Sequence, residues 1–190
     1  GATREMVNAD NDDVVLAATG AKPMVLPIPG ADPEKLFVAK ETVAHPEKLG
    51  ENVVVIGGGE VGVEIGIYLS RKGHKASVLE MRDRLAADST AIHYYSMLEE
   101  AWEAEPNFTG ITGARVAAIK DGAVEYIDKD GNTQSVPADS VVMSAGMRPN
   151  KDLALSFYGC AKEFYMIGDC KKAATIQQGM RSAYATAMRI

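Results

Sequence analysis

Gly57, Gly59 and Gly62 are the residues of this 190-residue chain whose type and spacing point most directly to chemistry. A Gly-x-Gly-x-x-Gly run is weak by itself. Here Val53-Val54-Val55-Ile56 leads into it, and Val61, Ile65, Tyr68 and Leu69 follow it at helical spacing. Between a strand and a helix, one glycine permits a tight turn. Another lets the backbone approach a diphosphate, and the third lets the helix pack close to the strand. Gly57, Gly58 and Gly59 form the loop. The amides near Glu60, Val61 and Gly62, with the positive end of the helix dipole, hold the anion.

A further element follows about 20 residues on, where Glu80 ends the next strand of a βαβ unit over 53–80. A carboxylate there accepts from both hydroxyls of an adenosine ribose. It repels a 2′-phosphate by about 1–4 kcal/mol at about 4 Å near a surface. The pattern therefore favours NAD(H) over NADP(H). Arg82 and Arg84 work the other way, because an arginine can accept the extra phosphate. The alternative reading is a glycine-rich turn in a structural α/β unit, with Glu80 a solvated strand end.

Other positions carry a choice of roles. Ala18-Thr19-Gly20 and Ile167-Gly168-Asp169 each end an apolar strand. Each either presents groups at the C-terminal edge of a sheet, where α/β ligands bind, or is a plain turn. Asp169 either meets a polyol hydroxyl of a flavin or caps a turn. Gly146 follows the strand Val141-Val142-Met143 and could lie under a nucleotide ring, while Arg148 beside it is a ligand group or a surface cation. Glu64 is either a buried ion-pair partner or an exposed helix charge. His45, His74 and His93 are scattered without ligand spacing, so no metal site is expected. Cys160 and Cys170 form no Cys-x-x-Cys pair, and no Ser/His/Asp set is present. No residue is identified as a catalytic acid, base or nucleophile.

The elements that must position these groups read as alternating strands and helices. Residues 1–10 are polar and expected to fray. Residues 14–18 read as a strand buried on both faces. Pro23, Pro27, Pro29 and Pro33 make 22–34 an extended connector. A helix is expected over 88–104 and a β-meander over about 107–136, turning at Asp121-Gly122 and Asp130-Gly131. The tail offers a strand over 164–167 and a helix from about 174, with Ile176, Met180, Ala183, Tyr184 and Ala187 at helical spacing. The fold class is thus α/β: a Rossmann-like NAD(P)-binding domain with a β-meander.

Composition sets the frame. Apolar residues at 46% and charged residues at 24% exclude disorder as the main state. A net charge of −6, with no Lys/Arg cluster longer than a pair, argues against a nucleic-acid surface. No apolar run reaches the roughly 20 residues of a membrane span. The low cysteine count points to a reducing cytoplasm.

Six stretches together resemble a known family: Val-Val-Leu-Ala-Ala-Thr-Gly at 14–20, Pro29-Gly30, Val-Val-Val-Ile-Gly-Gly-Gly-Glu-Val-Gly-Val-Glu at 53–64, Ser-Val-Leu-Glu at 77–80, Ser-Ala-Gly-Met-Arg-Pro-Asn at 144–150 and Met-Ile-Gly-Asp-Cys at 166–170. The chain resembles the C-terminal portion of a flavoprotein with two dinucleotide-binding domains. Within that class it is most similar to NADH:flavin oxidoreductases fused to an old-yellow-enzyme barrel, the enoate and 2,4-dienoyl-CoA reductase group. The stretch Leu-Glu-Met-Arg-Asp-Arg-Leu-Ala-Ala-Asp at 79–88 is close to that group's pattern.

The resemblance implies an NAD(H)-binding domain over 49–150, inserted in an incomplete FAD-binding domain formed by 1–48 and 151–190. It implies that Thr19 and Gly20 line the FAD site and that Gly168 and Asp169 meet its ribityl-pyrophosphate region. Hydride would pass from NADH to FAD, then to FMN and an activated alkene. The chain departs from the family in having one glycine fingerprint where two are needed, and the barrel and its 4Fe-4S cysteines are missing. The expectation is a fragment of a longer enzyme, partnered by missing N-terminal domains of the same polypeptide. Alone it would hold FAD weakly, be inactive, and expose apolar surface on the strands at 14–18 and 164–167. The rival readings are a flavin disulfide reductase, an NADH oxidase, or a non-catalytic adenine-nucleotide-binding module.

Overall fold

The structure is a computed structural model and describes residues 1–32 and 36–190, so Pro33 of the proline-rich connector lies outside the described residues. In chain order the elements are α1 (Arg4–Asp10), β1 (Val14–Ala17), β2 (Ala21–Pro23), β3 (Leu36–Val38), α2 (Ala39–Ala44), β4 (Asn52–Ile56), α3 (Glu60–Arg71), β5 (Lys75–Leu79) and α4 (Ile92–Glu103). There follow β6 (Phe108–Ile111), β7 (Arg115–Lys120), β8 (Ala123–Ile127), β9 (Thr133–Pro137), β10 (Ser140–Met143), β11 (Met147–Pro149), α5 (Lys151–Leu155), β12 (Glu163–Met166) and α6 (Ile176–Ala187). The chain divides into two units, one of residues 23–146 and one of 1–22 with 147–190.

The 23–146 unit is a parallel five-stranded sheet in the order β3-β10-β4-β5-β6, with the antiparallel β7-β8-β9 sheet against it. The strand period of two explains its layers. Val53 and Val55 of β4 point to one face, where they meet Val63 and Leu69 of α3 and Leu98 of α4. Val54 and Ile56 point to the other, where Val124, Val116, Tyr126 and Val136 of the antiparallel sheet cover them. Both faces of β4 are buried, as its continuous apolar run requires.

Several expectations are corrected here. Residues 23–32 and 36–48 lie in this compact unit, while the sequence places the boundary of the nucleotide-binding domain at 48/49. The reason is that β3 pairs with β10, while Phe37 and Ala39 pack against the α3 core. The other boundary falls at 146/147 in place of 150/151. The meander begins at Arg115, because Phe108–Ile111 adds to the edge of the parallel sheet. Helix α4 starts at Ile92, because the chain from 81 to 91 loops back over the glycine turn. Both hairpins turn at the expected Asp-Gly pairs.

In the other unit β1 and β12 form a two-stranded parallel pair, with Val14 opposite Glu163 and Ala17 opposite Met166. β2 pairs with β11. Ala17, Ala154 and Cys170 make a small core with Phe164 and Met166. Residues 4–10 are helical, not frayed: the Thr3 hydroxyl accepts from Met6 N at 3.3 Å and caps the first turn. β1 is not buried on both faces, since Leu16 is 47% exposed. α6 begins at Ile176, and its Ile176, Met180 and Tyr184 stripe is exposed. Among the described residues no helix is long and apolar enough to cross a membrane.

Candidate functional site

The glycine turn sits at the C-terminal ends of β4 and β5, which run parallel side by side. Gly57 takes φ +105°, a left-handed value that strains any other residue, and donates to Leu79 O at 2.9 Å. A Cβ at Gly62 would stand 1.8 Å from Gly57 O, so only glycine lets α3 close on the turn. Gly59 is the N-cap of α3 in extended backbone. The nearest group to its missing Cβ is the Asp88 carboxylate, at 3.1 Å from Oδ2. Gly57 thus makes the turn and Gly62 the close packing of α3 on it. The first-turn amides of α3 at Glu60, Val61 and Gly62 have no intrahelical acceptor.

Glu80 is only 6% exposed, which removes the reading of a solvated strand end. Its Oε2 accepts from Gly58 N at 2.8 Å. Its Oε1 accepts from Arg82 N at 2.8 Å and from Arg82 Nε at 3.0 Å. Burial pushes the Glu80 carboxyl up, but the Arg82 side chain, Arg82 N and Gly58 N together outweigh it and hold the carboxyl below its usual value. Glu80 is therefore an anion at neutral pH. Three acceptor positions are taken of about four that a carboxylate offers. Arg82 is committed as well, with Nη2 3.7 Å from Asp88 Oδ1. Arg84 lies over the Tyr95 ring, 4.8 Å from its centroid.

The segment after β5 is clamped to the turn. Ala86 N donates to Gly58 O at 2.7 Å, Leu85 and Ala86 are buried, and Ala86 takes φ +46°. From this segment the Asp88 carboxylate reaches Glu60 N, at 3.3 Å from Oδ1. Sequence reasoning gave Asp88 no role. Its only signal was membership of the 79–88 stretch, because its contact with Glu60 arises from the fold. Glu64 is exposed, the second of its two readings, and accepts from the Tyr94 hydroxyl. Gly146, at φ +98°, follows β10 and accepts from Met24 N at 2.9 Å. Gly57 packs against the same segment, since a Cβ on it would lie 2.4 Å from Ser144 O.

In the other unit the two candidate turns lie at one edge, because β1 and β12 are parallel neighbours. Asn150 ties down the first: its Nδ2 donates to Thr19 O at 3.0 Å, Thr19 Oγ1 donates to Asn150 O at 3.2 Å, and Asn150 N donates to Gly20 O at 3.0 Å. Asn150 was not singled out from sequence. Gly168 opens a short 3-10 turn, and Asp169 Oδ1 accepts from Ala174 N at 3.3 Å just before α6. One carboxylate oxygen of Asp169 therefore serves the turn.

Comparison with known proteins decides the family. A family model described as pyridine nucleotide-disulphide oxidoreductase matches residues 3–188. The chain belongs to this family. The pyridine nucleotide-disulphide oxidoreductases are flavin-dependent enzymes of FAD and NAD(P), with a Rossmann-like binding fold. The chain is 33% identical over 187 residues to the bilirubin reductase of Mediterraneibacter gnavus, covering 98% of this chain and 29% of that protein. It is 29% identical over 191 residues to the cinnamate reductase of Clostridium sporogenes, covering 100% of this chain and 28% of that one. A solved structure of a 2-naphthoyl-CoA reductase in complex with 2-naphthoyl-CoA superposes with a TM-score of 0.89 at 28% identity, over 100% of this chain and 28% of that one. The chain thus spans less than a third of the length of these relatives.

Proposed function

We propose that this chain is the NADH-binding part of a longer flavin-dependent oxidoreductase of the enoate or 2,4-dienoyl-CoA reductase type. In that enzyme electrons would go from NADH to FAD, then to FMN and an activated alkene. The carrying observation is that the glycine turn and an ionised, buried Glu80 form one hydrogen-bonded unit at the ends of two parallel strands. Gly57, Gly58, Gly59, Glu60, Val61, Gly62, Glu80 and Gly146 would hold NAD(H), in a 23–146 unit that is the NAD(H)-binding domain. Thr19, Gly20, Gly168 and Asp169 would hold FAD, in the remaining part of an FAD domain. Bound NAD(H) supplies the hydride, while the chain's own residues bind, orient and select it. A 4Fe-4S cluster and the FMN would belong to N-terminal domains of the same polypeptide. The similarity to reductases of unsaturated substrates supports the alkene as acceptor.

Preference for NAD(H) over NADP(H) follows from charge. Glu80 is an anion, and Arg82, the nearest cation, already serves Glu80 and Asp88. A 2′-phosphate would meet a carboxylate with no uncommitted arginine beside it.

Calorimetric titration of the chain with NADH, NADPH and ADP tests the reading. NADH should bind more tightly than NADPH, and Gly59→Val in a still-folded sample should abolish both. Equal affinity for NADH and ADP would favour the adenine-nucleotide module. Unchanged NADH binding in Gly59→Val would end the cradle reading.

A further inference from the structure

We infer that Asp88 is an internal counter-anion of the glycine loop, holding the diphosphate position until a dinucleotide displaces it. This inference rests on the loop being a diphosphate cradle. The second glycine of such a loop exists so that a phosphate can come close to the backbone. The group that comes close at Gly59 is the Asp88 carboxylate, with Oδ2 3.1 Å and Oδ1 3.4 Å from where a Cβ would stand. Oδ1 also accepts from Glu60 N, the first helical residue of α3, at 3.3 Å. Its other neighbour is Arg82 Nη2 at 3.7 Å. A carboxylate among these donors does in miniature what a phosphate oxygen does at a helix N-terminus.

The surroundings let the side chain leave without unfolding the loop. The Asp88 side chain is 57% exposed. The loop that carries it is anchored elsewhere, by buried Leu85 and Ala86, by Ala86 N on Gly58 O and by Ser89 N on Ala86 O at 2.9 Å. Arg82 keeps its contacts with Glu80 when Asp88 departs. The exchange is therefore one anion for another at Glu60 N. It costs affinity, because Asp88 must give up its contacts and its charge stays near the incoming phosphates.

The test compares the wild-type chain with Asp88→Asn and Asp88→Ser by calorimetry, using NADH, ADP and inorganic pyrophosphate. Both variants retain an oxygen that can accept from Glu60 N and remove the charge. Binding of NADH and ADP should tighten about five- to ten-fold, as expected for removing one nearby charge. Pyrophosphate should gain likewise. Unchanged or weaker binding in both variants, with a wild type that binds NADH, overturns this inference alone; a purely structural cap would give that result with a lower melting temperature. Absence of NADH and ADP binding in wild type and variants alike overturns the cradle reading, and this inference with it.

Discussion

Gly58 N donates to Glu80 Oε2 at 2.8 Å, joining the glycine turn after β4 to the acid that ends β5. Glu80 is thus a brace for the loop. In the proposed function it is also the ribose acceptor, so changing it alters both shape and charge.

Glu80→Ala should destabilise the chain by about 1–3 kcal/mol, because Gly58 N loses its acceptor in a buried place. Glu80→Gln keeps one oxygen and should lose less stability. It should also reduce the preference for NADH over NADPH. Urea unfolding and paired cofactor titrations measure the two effects separately.

The same carboxylate makes stability depend on pH. Its folded pKa lies below the ordinary glutamate value, so its contribution is fully present above about pH 4.3. That contribution is lost as pH falls through the folded pKa. Urea midpoints from about pH 6 to about pH 3 should fall less steeply in Glu80→Gln than in wild type.

Two glycines of the loop should behave differently on substitution. Gly62→Ala drives a Cβ to 1.8 Å from Gly57 O and should cost about 3 kcal/mol. Gly59→Ala first meets the end of the exposed Asp88 side chain at 3.1 Å and should change stability by about 0.5 kcal/mol or less. NADH affinity should nevertheless fall about ten-fold, or 1.4 kcal/mol. Thermal melts and calorimetry on the two variants separate fold from binding.

Tyr94 should titrate late. Its hydroxyl donates to Glu64, which, with burial, pushes its pKa up to about 12. Ultraviolet titration should show one tyrosine ionising well above the rest, and Glu64→Gln should bring it back toward the ordinary value near 10.

Local pattern made much of this architecture legible. The continuous apolar run of β4 and the switch to helical spacing at Glu60 place the turn between strand and helix, and both elements are present. Asp121-Gly122 and Asp130-Gly131 mark two hairpins that are present. Short segments were harder. Thr3 caps a helix of seven residues in a stretch too polar to show a buried face. Phe108–Ile111 looks like part of the meander, yet completes the parallel sheet, because partner choice depends on what lies beside β5.

The residues alone determined that a glycine turn and an acid would stand at the ends of neighbouring strands, because strand direction and side-chain period are local properties of the backbone. Only the tertiary structure decided what each charge does there. Glu80 accepts from Gly58 and Arg82, Arg82 is shared with Asp88, and Asp88 reaches the first amide of α3. The Glu80–Gly58 and Asp88–Glu60 pairings join residues 22 and 28 positions apart in the chain, and electrostatics acts on distance in space rather than along the sequence.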